Sequence, residues 1–204
     1  AQERAQIACS FLYMCTGYYN YAEGHRPDFA GEADFKGDII HPQFWPEQLD
    51  YQGKNIVVIG SGATAVTLVP AMVKDGAGHV TMLQRSPTYV LSRPGSDKIA
   101  NWLRAKLPGK IAYGMTRWKN VLMGMLFFNL AQKRPEKSKE RMIAMVRDEL
   151  GADYDVQTHF TPRYNPWDQR LCAVPEGDMF TAIREQRAEV VTDQVERFTE
   201  RGIR

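Results

Sequence analysis

The stretch that decides the fold is Asn55–Val66, which reads NIVVIGSGATAV. It opens with the β-branched run Ile56–Ile59, typical of a strand that is covered on both faces. It then passes through Gly60 and Gly62 into a segment with the apolar spacing of a helix. This Gly-x-Gly-x-x-Ala order is typical of a cradle for a dinucleotide pyrophosphate, because the free N–H groups of the helix's first turn face the anion.

Each position of this cradle has a physical task. Gly60 permits the tight turn, and Gly62 lets the backbone approach the phosphates closely. Ala65 replaces a third glycine and is small enough for the helix to pack on the strand. Thr64 either donates its hydroxyl to the pyrophosphate or simply starts the helix. The residues predicted to bind the cofactor are Gly60, Ser61, Gly62, Ala63, Thr64, Ala65, Arg85 and Ser86.

The context of the cradle separates it from an ordinary surface turn between a strand and a helix. A helix pattern covers Ala63–Lys74, and a second strand pattern, His79–Leu83, follows it. Strand, turn and helix therefore agree, which favours a β-α-β unit. The predicted class is α/β, a Rossmann-like domain with a parallel sheet and an inserted helical segment over residues 97–151.

The cofactor that the cradle prefers depends on the end of the second strand. NAD-specific sites carry an acidic residue there, which bonds the ribose 2′-hydroxyl. Here the strand runs into Arg85 and Ser86, and Arg85 lies 25 positions after Gly60. A guanidinium can bond a 2′-phosphate through two N–H groups, and a serine can add a third bond. We therefore predict NADP, the alternative being an ordinary exposed arginine.

Composition excludes several classes of protein. The 204 residues carry a net charge of +2, which gives no reason to expect nucleic acid or a membrane surface as a partner. Three cysteines cannot form a complete disulfide framework, and no secretory signal is visible, so we expect a reducing, cytoplasmic setting. The four histidines show no metal-ligand spacing, and no metal is expected.

The middle of the chain reads as three helices between Asp97 and Gly151, with breaks near Pro108 and Pro135. The strongly apolar run Val121–Leu130 is too short to span a bilayer. Peripheral membrane contact is conceivable because basic residues lie nearby, but packing against another part of a larger protein is the preferred interpretation. A membrane-associated helical adaptor is kept as a rival hypothesis.

The remaining segments are less regular. Ile7–Cys15 is predicted as a strand, residues 153–175 as an ordered loop, and residues 178–186 as a helix. Strand patterns follow at residues 189–192 and 195–199. Because the sequence opens on a strand pattern and stops without a terminating element, we expect a piece of a larger protein.

The segment FKGDIIHPQFWP, residues 35–46, matches the pattern Phe-x-Gly-x-x-x-His-x-x-x-Trp through Phe35, Gly37, His41 and Trp45. The chain thereby resembles the Baeyer–Villiger monooxygenases, which carry this fingerprint just before a nucleotide cradle. Residues 11–19 look like the strand by which that family's flavin domain leads into its NADP domain. Residues 60–65 and YNPWDQRLC, residues 164–172, look closest to the actinobacterial, ethionamide-activating branch of that family.

This resemblance implies a larger protein with two dinucleotide-binding domains. Residues 1–17 would be a border strand of the FAD domain, residues 18–54 a linker with the fingerprint, and residues 55–204 the NADP domain. The missing FAD domain of the same protein would be its partner. NADPH would reduce FAD, and O₂ would then supply one oxygen atom to a ketone or a sulfur-containing small molecule.

The resemblance also gives roles to individual residues. It makes Arg170 the catalytic cation beside the flavin that supports the anionic peroxide, although Gln169 replaces the family's lysine. The alternative is an arginine that only ties down its loop. His41 would act in linker geometry or domain movement, and Trp45 would anchor the linker by burying its ring. A nucleotide-binding module without oxygenase chemistry is the alternative function, and the fingerprint speaks against it.

Overall fold

The computed structural model describes residues 6–17 and 20–204. The described residues divide into two units: those up to Leu49 together with Val195–Arg204, and Asp50–Gln194. Residues 195–204, predicted within the nucleotide domain, thus belong with the N-terminal unit. Residues 1–5, Tyr18 and Tyr19, which the border-strand and linker predictions include, lie outside the described residues.

The Asp50–Gln194 unit alternates strands and helices along the chain. Its elements are β1 (Asn55–Ile59), α1 (Ala63–Lys74), β2 (His79–Gln84), β3 (Tyr89–Arg93), α2 (Lys98–Lys106), α3 (Gly109–Lys133), α4 (Pro135–Leu150), α5 (Val156–Phe160), β4 (Leu171–Pro175), α6 (Asp178–Arg184) and β5 (Ala188–Thr192). The predicted β-α-β unit and the three helices with breaks at Pro108 and Pro135 are confirmed.

A parallel sheet of order β1-β2-β5 forms the centre of this unit. Val80 pairs with Ile56 on one side and with Ala188 on the other. Helices α1 and α6 pack on this sheet and bury Val66 and Phe180 in the core. The predicted α/β class with a parallel sheet is therefore confirmed.

The prediction that the first strand is covered on both faces is wrong for the described residues. Ile56 and Val58 turn toward the core cluster, whereas Val57 is 42% exposed and Ile59 is 45% exposed. The reason is that successive strand side chains alternate between the two faces of the sheet, and on the face away from the core cluster those of β1 and β5 are exposed. A β-branched run cannot by itself tell a doubly covered strand from a half-covered one.

A second parallel pair, β3 and β4, was not predicted. Tyr89 pairs with Leu171 and Arg93 with Pro175. Residues 153–175, predicted as a loop, therefore contain the short helix α5 and the strand β4. Pairing between strands that lie 82 positions apart has no local signal, since it depends on contacts made only in the folded chain.

The N-terminal unit is built around one buried aromatic ring. Phe198 is buried, and its ring lies 5.5 Å from Phe29 and 5.8 Å from Phe35. It belongs to β6 (Phe198–Thr199), which pairs antiparallel with β7 (Gly202–Ile203). The strand predicted over Ile7–Cys15 is not formed in the described residues 6–17, because no neighbouring strand there supplies hydrogen-bond partners.

The carboxyl ends of β2 and β5 are joined by a buried polar network. The Gln84 amide Nε2 donates to the His159 carbonyl at 2.7 Å and to the Thr192 hydroxyl at 2.9 Å. The His159 Nδ1 atom lies 2.9 Å from the same hydroxyl. Because Gln84 is buried, these contacts replace water that its amide would otherwise bind.

Replacing this glutamine should loosen the sheet next to the cradle. Gln84→Leu leaves the His159 carbonyl without its donor, at a cost of about 1–3 kcal/mol. Hydrogen exchange of the β2 and β5 amides should therefore accelerate roughly 5- to 150-fold. Gln157→Leu, on the exposed side of α5, is the matched control and should leave exchange unchanged. Equal exchange in both variants would contradict a stabilising role for the network.

In the part of the chain that the structure describes, no helix combines the length and apolarity needed to cross a membrane.

Candidate functional site

The cradle lies where β1 ends and α1 begins. Gly60 has a φ of 134°, a conformation that side-chain-bearing residues rarely adopt. Its N–H donates to the Leu83 carbonyl at 2.7 Å, which ties the turn to β2. Ser61 is buried, and its hydroxyl donates to the Ser86 carbonyl at 3.3 Å. The predicted cradle and the predicted phosphate-binding end of β2 are therefore in contact.

The first turn of α1 is open to a ligand. Gly62 caps the helix without a side-chain hydrogen bond, and the first intrahelical bond runs from the Val66 N–H to the Gly62 carbonyl. The N–H groups of Ala63 and Thr64, whose side chains are exposed, therefore have no acceptor within the helix. Ala65 is buried, as its predicted packing role requires.

The space beside Gly62 is open, which indicates that this glycine serves ligand binding and not packing within the fold. A Cβ atom placed at Gly62 would meet no atom within 4 Å among the described residues, and its φ of −77° suits any residue. The fold therefore does not need a glycine at this position. A close approach of the backbone to a ligand would need one.

Gly62→Val should leave the fold intact and weaken binding of NADP at least about 10-fold, because the added methyl groups would stand where the pyrophosphate approaches. Isothermal titration with NADP⁺ and circular dichroism of the full-length protein measure the two effects. Gly114→Val, at a helical glycine with equally open surroundings, is the control. Unchanged NADP affinity in Gly62→Val would contradict the assignment of the cradle.

Arg85 and Ser86 follow β2 directly and both are exposed. Arg85 makes no ion pair with the residues that the structure describes, so its guanidinium is available to a ligand. Since the Ser86 carbonyl binds Ser61 of the cradle, this cation lies at the same edge of the sheet as the helix N-terminus. The arrangement fits an anion that carries phosphate at two positions, as NADP does.

Arg170 stands just before β4 and is held through its backbone. The Tyr164 hydroxyl donates to the Arg170 carbonyl at 2.7 Å, and the Thr88 hydroxyl lies 2.8 Å from that tyrosine oxygen. The arginine side chain is exposed. Burial raises the pKa of the Cys172 thiol, and the neighbouring Arg170 charge opposes that rise. The structure thus presents an exposed cation on a backbone that two hydroxyl groups anchor.

The strand register brings Arg170 near the end of β2. Because Tyr89 pairs with Leu171, the preceding residues Thr88 and Arg170 stand opposite each other. The Thr88 hydroxyl also lies 3.3 Å from the Arg170 carbonyl oxygen. Thr88 follows Arg85 by three positions, so only a short stretch of chain separates the contact of Arg170 from the end of β2.

Sequence reasoning missed the residues that support this neighbourhood. Thr88 and Tyr89 are buried, and the Tyr89 hydroxyl donates to the Tyr164 carbonyl at 2.7 Å. Burial raises the pKa of Tyr89 to about 12, so the hydroxyl keeps its proton and remains a donor at neutral pH. The proline- and aromatic-rich composition of residues 162–170 was the one available signal that this loop is ordered.

The fingerprint residues lie in the other unit. The His41 Nδ1 atom accepts from the Gln43 N–H at 3.2 Å and caps the 3₁₀ turn Pro42–Phe44. A Cβ atom at Gly24 would lie 2.2 Å from the His41 ring, so the ring packs directly on that glycine. Trp45 is 37% exposed, and the expectation that its ring is buried is wrong for the described residues.

The other predicted fingerprint residues have packing roles. Phe35 contacts Phe198 edge-on, and Gly37 leaves room for the Phe35 ring, which would lie 2.7 Å from an added Cβ atom. The described residues contain no group of three or more histidine, cysteine, aspartate or glutamate side chains placed to hold a metal ion. In the described residues, the fingerprint therefore contributes a capped turn and ring packing, and it contains no group of side chains that could bind a metal ion.

Comparison with known proteins finds relatives that are all described as flavin- or FAD-dependent monooxygenases. The family model described as flavin-binding monooxygenase-like matches residues 2–143. The FAD-containing monooxygenase EthA of Mycobacterium tuberculosis (strain ATCC 25618 / H37Rv) is 58% identical over 198 residues, which cover 97% of this chain and 40% of EthA. The probable FAD-binding monooxygenase AlmA of Acinetobacter baylyi is 51% identical over 203 residues, 41% of its length. The chain thus spans about two fifths of these relatives.

Solved structures share the fold. An oxidized steroid monooxygenase bound to NADP matches with a TM-score of 0.64 and 18% identity, over 89% of this chain and 42% of that one. OTEMO in complex with FAD and NADP matches with a TM-score of 0.62 and 18% identity, over 89% of this chain and 42% of that one. At this level of identity the likeness establishes the architecture alone.

Proposed function

The chain belongs to the flavin-binding monooxygenase-like family, and from that premise we propose that it supplies the NADPH-binding part of a FAD-dependent monooxygenase of the Baeyer–Villiger type. The reaction inserts one oxygen atom of O₂ into a ketone to give an ester or lactone, and the second atom leaves as water. Oxidation of a sulfur-containing small molecule is the related reaction of the same site. The relatives named as FAD-containing monooxygenases support this proposal.

One observation carries the NADPH assignment. An uncapped helix N-terminus, open space beside Gly62 and the exposed Arg85 meet at a single sheet edge through the Ser61–Ser86 hydrogen bond. The N–H groups at the helix terminus suit the pyrophosphate. Arg85 suits the 2′-phosphate because its planar guanidinium can donate two parallel hydrogen bonds.

The flavin requires residues beyond these 204. The sequence contains a single Gly-x-Gly-x-x-Ala/Gly run, and we assign it to NADP. When bound, FAD would take the hydride from NADPH and supply the electrons that activate O₂. Within this chain, Arg170 would place a fixed positive charge where oxygen becomes negative, and Tyr164 and Thr88 would hold its backbone.

The proposal is tested by the fate of oxygen in the full-length, FAD-loaded protein. We expect NADPH-dependent conversion of cyclohexanone to its lactone, or of thioanisole to its sulfoxide, with one ¹⁸O atom from ¹⁸O₂ in the product. A nucleotide-binding module or simple reductase would bind or oxidise NADPH and leave both probes unchanged. Product that lacks ¹⁸O, or no product with either probe, would contradict the oxygenase assignment.

A further inference from the structure

Helices α2 and α3 belong to a strongly basic segment of the chain. Residues 98–134 contain eight lysines and arginines and no aspartate or glutamate, although the whole sequence is close to neutral. The carboxylate that precedes them, Asp97, caps α2 and is paired with Lys119. The cations that remain have no acidic neighbour within the segment. We call this segment the basic helical pair.

An apolar stripe runs along α3 of the basic helical pair. Its residues are spaced by four and three positions, which places them on one face of a helix, and each side chain is 51–63% exposed: Ile111, Met115, Trp118, Leu122 and Met125. On α2, Ile99 and Trp102 are exposed as well. A continuous apolar surface of this extent on a folded domain marks a site of interaction.

The second half of α3 is apolar on every side. All ten residues of Val121–Leu130 are exposed, and eight of them are apolar. The ring of Phe128 lies 6.0 Å from Trp167, and Ala131 beyond the run is buried. Such a run can place apolar side chains in the acyl boundary of a lipid layer.

A groove that several polar side chains line lies between α2 and α3. It encloses about 600 Å³ and is lined by donors without any carboxylate, among them Arg104, Tyr113, Thr116, Arg117 and Asn120. The Thr116 hydroxyl oxygen is buried and has no hydrogen-bond partner in the described part of the chain. Arg104 reaches only the Asn101 amide oxygen, at 3.3 Å, and Arg117 makes no ion pair with the described residues. Two guanidinium groups and a buried hydroxyl suit a phosphate, which offers several acceptor oxygens.

These features indicate a lipid surface with negative charge. Basic residues flank the apolar run at both ends, with Arg117 before it and Lys133 and Arg134 after it. Such side chains can reach phosphates while apolar neighbours enter the acyl boundary. Exposed tryptophans, here Trp102 and Trp118, are typical of the membrane interface. Since no described helix can cross a membrane, the contact would be interfacial.

We propose that the basic helical pair docks on an anionic phospholipid bilayer, with a headgroup phosphate in the groove beside Arg104 and Arg117. This interaction is independent of the oxygenase reaction, and it would hold the protein at the surface where apolar small molecules collect. It differs from the preferred interpretation of the sequence, protein packing around Val121–Leu130, because the structure adds the groove beside Arg104 and Arg117.

Flotation of the full-length, FAD-loaded protein with vesicles tests the proposal. Vesicles of phosphatidylcholine with roughly one third phosphatidylglycerol should carry the protein upward, and vesicles of phosphatidylcholine alone should not. Arg104→Gln/Arg117→Gln should weaken binding at least about 10-fold, and Arg104→Lys/Arg117→Lys should retain most of it. The control Lys54→Gln/Lys74→Gln removes the same charge from the far end of β1 and α1 and should leave binding unchanged.

A second measurement keeps the test decisive. Hydrogen exchange of the α3 amides should slow when anionic vesicles are added. If α3 is already protected and the protein does not float, another part of the protein covers it and the proposal fails. If Leu122→Ser converts a dimer to a monomer in sedimentation without affecting flotation, a second copy covers it and the proposal also fails. The role of the groove would be overturned if the protein bound both vesicle types equally. It would also be overturned if Lys54→Gln/Lys74→Gln weakened vesicle binding as much as Arg104→Gln/Arg117→Gln.

Discussion

Arg170→Ala in the full-length, FAD-loaded protein should leave NADPH oxidation running while the yield of oxygenated product falls by about 100-fold or more. The expected reason is electrostatic. A guanidinium fixed near an oxygen that becomes negative stabilises that charge, and an alanine supplies no substitute. Reducing equivalents would then leave as hydrogen peroxide. Simultaneous measurement of NADPH consumption, peroxide and product by chromatography separates these outcomes.

The structure provides the matched controls for this experiment. Arg163→Ala removes an exposed arginine from the same ordered loop and should keep the product yield. Arg170→Lys keeps the charge but loses the planar guanidinium, and we expect a partial yield. Because the Arg170 backbone is held by Tyr164 and Thr88, the alanine variant should not disturb the loop. An unchanged product yield in Arg170→Ala would refute the catalytic role and leave a residue that only ties down its loop.

The parts of the fold that sequence analysis predicted depend on local patterns. The run Ile56–Ile59, the glycine turn and the helix pattern behind it are contiguous, and each has its own backbone preference. The same holds for α2, α3 and α4, whose breaks follow from Pro108 and Pro135. These elements needed no knowledge of distant neighbours.

The parts that were missed depend on distant neighbours. Pairing of Tyr89 with Leu171 joins strands 82 positions apart, and the contact of Phe35 with Phe198 joins residues 163 positions apart. The Gln84 network was invisible because a glutamine in a strand gives no sign of its partners, which come from α5 and β5. The anchoring of Arg170 was missed for the same reason, although its position was suggested by the resemblance.

The apolar spacing of α3 correctly predicted a helix, but it did not show which surface the apolar side chains face. The apolar spacing between Pro108 and Pro135 predicted a helix, and α3 is present there. Spacing alone does not tell whether a stripe faces the core of its own domain or another surface. The structure answers that question for the described residues, because the stripe is exposed while Ala112 between its members is buried.

Arg85→Ala should abolish the preference for a 2′-phosphate. In the unchanged protein, 2′,5′-ADP should compete with NADP⁺ far better than 5′-AMP, because hydrogen bonds between charged partners contribute about 1.5–3 kcal/mol, or roughly 10- to 150-fold in affinity. The alanine variant should bind both competitors equally and NADP⁺ correspondingly more weakly. Competition measured by fluorescence of bound NADPH in the full-length protein gives both constants.

The controls for Arg85 separate its phosphate contact from general charge. Arg93→Ala, an exposed arginine at the end of β3, should leave the ratio of the two competitors unchanged. Arg85→Lys should keep part of the preference, since an ammonium attracts phosphate as a point charge but cannot donate two parallel bonds. Because Arg85 has no ion pair among the described residues, replacing it should change the free energy of unfolding little. Equal binding of 2′,5′-ADP and 5′-AMP by the unchanged protein would remove the NADP assignment and leave the cradle to a nucleotide without the extra phosphate.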